Sequence, residues 1–160
     1  MSAAVMTPTA ASPAPDAPAI PASTLRLAGP EGWIGRLLVE REISDVVVLR
    51  PLGNNDKEAP LVARQHLARL SSDAAAVKRI AVAALLDARS SIPATPGSLL
   101  GWRIVELRID RDGRAWVGLY ETGYHETWMV ELDETGGPSS IWRRQKRDVH
   151  NLADCGSRLR

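Results

Sequence analysis

The sequence predicts an α+β fold: a three- to four-stranded antiparallel meander, an amphipathic helix packed on one face, and a disordered Pro/Ala-rich tail in front. Three observations carry this. Val77, Ile80, Ala81, Ala84, Leu85 and Ala88 make one apolar helical stripe. Apolar residues alternate with polar ones through most of 102–132, and Asp112-Gly113 interrupts them as a hairpin signal. Residues 1–24 are mostly Ala, Pro, Ser and Thr, which bury too little apolar surface to offset the entropy of ordering.

The elements follow in chain order. Prolines at 8, 13, 15, 18 and 21 break every apolar stretch of the tail, and a basic n-region is lacking, so the tail is expected to be cytoplasmic and disordered rather than a signal peptide. A passive extended tail is the simplest reading. A single α+β domain is expected over 25–147. At its start Trp33, Ile34, Leu37 and Leu38 recur at helical spacing behind Pro30, which a helix start tolerates. Val46-Val47-Val48-Leu49, stopped by Pro51, reads as a buried strand. The 25–70 segment is therefore expected to add a helix and an edge strand. Gly53-Asn54-Asn55-Asp56 is a loop. Leu61, Leu67 and Leu70 predict a short helix, and Ser72 or Asp73 caps the longer one over 73–89. Pro93 and Pro96-Gly97 lie beyond its end.

In the first meander strand Arg103, Val105, Leu107 and Ile109 are expected on one face, with Trp102, Ile104, Glu106 and Arg108 on the other. The second alternates Ala115, Val117 and Leu119 with Trp116, Gly118 and Tyr120. The third places Trp128, Val130 and Leu132 together. After a turn at 133–138, Ile141-Trp142-Arg143 supplies a short charged edge strand. Residues 148–160 are polar and read as a flexible C-terminal tail.

Composition narrows function. The 160 residues carry a net charge of +1, with no strongly basic domain. One cysteine, Cys155, precludes an internal disulfide and fits a reducing cytoplasm. No apolar run is long enough to span a membrane. His66, His125, His150 and Cys155 lack metal-ligand spacing, so no metal or cofactor is expected. No Gly-x-Ser-x-Gly elbow or phosphate loop occurs. Tyr124, His125 and Glu126 are the one triplet suited to proton transfer, but a polar hairpin loop explains them as well. The expectation is a protein that is not an enzyme and takes no small-molecule substrate.

Two features point to binding. Four of the five tryptophans lie between Trp102 and Trp142, and Trp102, Trp116 and Trp128 fall at strand positions where each packs as core or, on the outer sheet face, marks an interface. A basic run, Arg143-Arg144-Gln145-Lys146-Arg147, follows Trp142. Aromatics and arginines dominate interface hot spots. The anchors expected for a protein partner, or a larger assembly, are Trp116, Trp128, Trp142, Arg143, Arg144, Lys146 and Arg147. The alternative is a nucleic-acid-binding module using 142–147 by charge and stacking. A small regulatory or inhibitory module is the third reading.

The order of motifs also resembles a known family. An Ala-rich helix (Ala74–Ala88) precedes Gly101-Trp102-Arg103 at a strand start, Val130-Glu131-Leu132-Asp133 at a strand end, Gly136 in a turn, and Arg143-Arg144 with Arg147 at the close. This resembles gas vesicle protein O, and implies a small cytoplasmic accessory protein of gas vesicle assembly. The same pattern is similar to PepSY modules, which implies a regulatory or inhibitory role. The resemblance spans 74–147 and assigns no residue a role.

Overall fold

Residues 25–49 form strands rather than a helix followed by a strand. The computed structural model describes residues 16–88, 101–122, 126–133 and 135–144. In it β1 (Leu25–Leu27), β2 (Gly32–Val39) and β3 (Glu42–Leu49) make an antiparallel ladder. The helical spacing at Trp33–Leu38 is overridden by pairing. Every residue of β2 has a partner in β3, from Gly32 opposite Leu49 to Val39 opposite Glu42. Gly32 and Gly35 also weaken a helix here by about 1 kcal/mol each. Both glycines are demanded by close backbone approach. A Cβ on Gly32 would meet the Val48 carbonyl oxygen, and one on Gly35 the Thr24 carbonyl oxygen.

The β2–β3 turn has two residues, Glu40 and Arg41, at φ 48° and 70°. Tight hairpins favour this left-handed pair because it matches strand twist, yet neither residue is glycine. Lys78 Nζ lies 2.6 Å from Glu40 Oε2, tying the turn to the second helix.

The chain then crosses over. α1 (Leu61–Ser72) and α2 (Ala74–Ala88) connect β3 to β4 (Trp102–Ile109), which runs parallel to β3 from Asp45 opposite Glu106 to Val48 opposite Ile109. A parallel pair needs such a crossover. β5 (Ala115–Glu121), β6 (Glu126–Leu132) and β7 (Pro138–Arg144) complete an antiparallel meander. The sheet therefore has seven strands in sequential order, not three or four. The four-strand meander is present, and β1–β3 extend it across the parallel pair.

Both helices pack on one face. Leu67, Leu70, Ala81, Val82 and Leu85 join Val46, Val48, Leu107, Val117, Leu119 and Val130 in one core. Each fully buried Leu or Val contributes about 1.5–3 kcal/mol. The α2 stripe is turned from the expected one: Val82 is buried, whereas Ile80 is 41% exposed. Part of the segment read as a tail is also ordered. Ile20 is buried, its N–H donates to the Arg64 carbonyl at 3.1 Å, and Gln65 Nε2 donates to the Ala17 carbonyl at 3.2 Å. Residues 1–15 and the C-terminal segment 148–160 lie outside the described residues.

The two long hairpin loops share one design. At Asp110–Arg114 and again at Asp133–Gly137, the aspartate Oδ1 accepts N–H bonds from the residues two and four positions later, at 2.8–2.9 Å. Gly113 and Gly136 take the left-handed position at φ 82° and 84°. The side chain thus replaces a backbone turn partner.

Candidate functional site

A bulge in β4 decides what the two sheet faces carry. The register with β5 shifts between Ile104 and Glu106. An extra residue in one strand reverses the alternation beyond it. Trp102 and Ile104 therefore share the helix-side core with Leu107 and Ile109, contrary to the alternation expected from sequence. Arg103, opposite Tyr120, falls on the other face with Glu106 and Arg108, and its Cζ sits 5.3 Å from the Tyr120 ring.

That face, helix-free among the described residues, carries Glu106, Arg108, Trp116, Met129, Trp142 and Arg144. Trp116 and Met129 are solvent-inaccessible yet stand outside the helix-side core. Trp116 Nε1 donates to Asp110 Oδ2 at 3.3 Å, which ties the indole to the β4–β5 loop.

The charges form a clamp across the sheet. Arg144 donates Nη1 to Glu106 Oε2 at 2.5 Å and Nη2 to Oε1 at 3.1 Å. Arg108 donates Nε to the same Oε1 at 2.8 Å, with its Nη2 also 2.8 Å away. All three side chains are 7–8% exposed. The clamp links β4 to β7 over β5 and β6. Gly118 provides the floor, because a Cβ there would lie 3.0 Å from both Glu106 Cβ and Met129 Sδ. Burial pushes the Glu106 carboxyl up, but hydrogen bonds and charges from Arg144 and Arg108 outweigh it and hold it below the usual range. A carboxylate so engaged is a poor proton acceptor and a good cross-strand tie. Beside it, buried Glu131 pairs with Arg114 at 3.0 Å.

The anchors read from sequence separate into three groups. Trp142 and Arg144 share the helix-free face with Trp116, two strands away, and the Arg144 Cζ lies 5.9 Å from the Trp142 ring. Trp128 and Arg143 are direct cross-strand partners on the opposite face. Trp128 packs partly buried against the core, while the Arg143 side chain is 56% exposed, 3.1 Å from Glu126. Lys146 and Arg147 lie outside the described residues, as do Tyr124, His125, His150 and Cys155. Glu106 and Arg108 were not singled out from sequence. Their signal was two opposite charges, Glu106 and Arg108, flanking Leu107 inside a strand rich in apolar residues.

Elsewhere, His66 is buried in α1 with Nδ1 3.2 Å from Arg69 Nη2. Among the described residues no cluster of three or more His, Cys, Asp or Glu side chains is placed to hold a metal ion. No helix among them is long and apolar enough to cross a membrane. Comparison with known proteins yields no match to a family model, a curated protein or a solved structure.

Proposed function

We propose that this protein is a non-enzymatic accessory or assembly protein that binds another protein along the β6–β7 border of its sheet. One observation carries the reading. Arg143 stands exposed beside its cross-strand partner Trp128 on the last strand of the sheet, where β7 has no outer neighbour among the described residues. An open strand edge offers backbone hydrogen bonds to an incoming segment, and flanking Trp and Arg side chains supply contact area. The resemblance to gas vesicle protein O supports an assembly role, and the lone cysteine a cytoplasmic one.

A nucleic-acid-binding module remains the second reading, on the basic run that starts at Arg143. It is the weaker because Arg144 is withdrawn into the clamp with Glu106, which lowers the charge offered outward. Affinity capture with the full chain and with Arg143→Glu separates the two. The protein reading predicts a partner retained after nuclease treatment and lost with the variant. A catch that disappears on nuclease treatment contradicts it.

A further inference from the structure

The clamp leaves a buried nitrogen of Arg108 without a hydrogen-bond partner. Arg108 is 6% exposed and gives Nε and Nη2 to Glu106, but its Nη1 is closed to solvent and has no hydrogen-bond partner. Trp142 Nε1, on the same face, is in the same condition. Glu106 is already engaged by both guanidinium groups. Its Oε1 already receives two nitrogens of Arg108 and one of Arg144, and its Oε2 receives the other. A buried donor without an acceptor costs about 1–3 kcal/mol, and more when charged. Native structures keep few such groups, and those they keep call for an explanation.

We propose that the helix-free face holds a binding site for one carboxylate, anchored by Arg108 Nη1 and supplied by the protein partner. Attribution to the partner rests on the function proposed above; the site itself does not. A carboxylate matches the planar geometry of guanidinium nitrogens. The site is closed in this structure, so entry requires rim side chains to shift.

Acetate is the probe. The full chain is melted in rising sodium acetate and, in parallel, in sodium chloride at equal ionic strength. A saturable rise in melting temperature with acetate alone is expected, as for a ligand that binds only the folded state. Arg108→Leu is expected to abolish it. Arg108→Lys, which keeps a cation beside Glu106 but removes the guanidinium fork, guards against a folding defect and is expected to abolish it too. Equal curves in the two salts would overturn the proposal, as would an undiminished acetate response in Arg108→Lys. Because no partner is present, failure here leaves the protein-binding reading standing, and failure of partner capture leaves the site standing.

Discussion

Replacing Glu106 with Gln tests whether the clamp is a structural tie. The substitution keeps shape and volume, so no cavity forms. What changes is charge: Arg108 and Arg144, each with a 7% exposed side chain, lose the carboxylate they share. Removing one partner of a buried ion pair typically costs about 3–5 kcal/mol, because the remaining charge stays buried without compensation. With a urea slope of about 2 kcal/mol/M, the unfolding midpoint falls by roughly 1.5–2.5 M. Tryptophan fluorescence follows it directly, since Trp116 and Trp142 lie on the clamp's face. The companion variant removes the charges together, as Glu106→Leu with Arg108→Met and Arg144→Met. It is expected to lie close to the parent, because desolvation of the three ions is removed along with their attraction. A loss below about 1 kcal/mol in Glu106→Gln would mean that water reaches the guanidinium groups. A triple variant as damaged as the single one would refute the charge argument in favour of packing.

Other consequences are open to measurement. The Glu106 carboxyl lies below its ordinary value when folded, so its stabilisation is complete above the unfolded value of about 4.3 and is lost as pH falls through the folded one. The urea midpoint should therefore drop on acidification below about pH 4.3, less steeply in Glu106→Gln. Asp133 is also held low, first by the Thr135 hydroxyl and then by backbone N–H groups, so Thr135→Val should raise its titration midpoint as read by carboxyl NMR shifts. Arg41→Gly should stabilise by about 0.5–1 kcal/mol in urea unfolding, since relief of a left-handed residue exceeds the extra entropy of glycine. Gly118→Ala should destabilise by about 1–3 kcal/mol in the same assay, as the new methyl crowds Glu106 and Met129.

The elements legible in the sequence are those whose signals are local. Alternation in β5 and β6, the Asp112-Gly113 turn and the alanine-rich α2 each announce themselves within a short window. β2 did not, because its apolar residues satisfy a helical spacing equally well and only β3 decides between the two. The faces of β4 were misassigned because a bulge at one residue reverses everything before it, and nothing at Val105 marks it. The candidate site was partly legible. Trp128, Trp142 and Arg143 do stand on adjacent strands. Arg144 was read as an outward cation like its neighbour, since its partner lies 38 residues back in the chain, beyond any local pattern. Strand alternation alone sends Arg143 and Arg144 to opposite faces and so to different environments.

The central claim is that a protein partner meets this molecule along β6 and β7. Hydrogen–deuterium exchange of the full chain, alone and with its captured partner, tests it most directly. The account predicts added protection concentrated over Glu126–Leu132 and Pro138–Arg144. Protection confined to the outer surfaces of α1 and α2, with β7 amides exchanging as in the free protein, would contradict it.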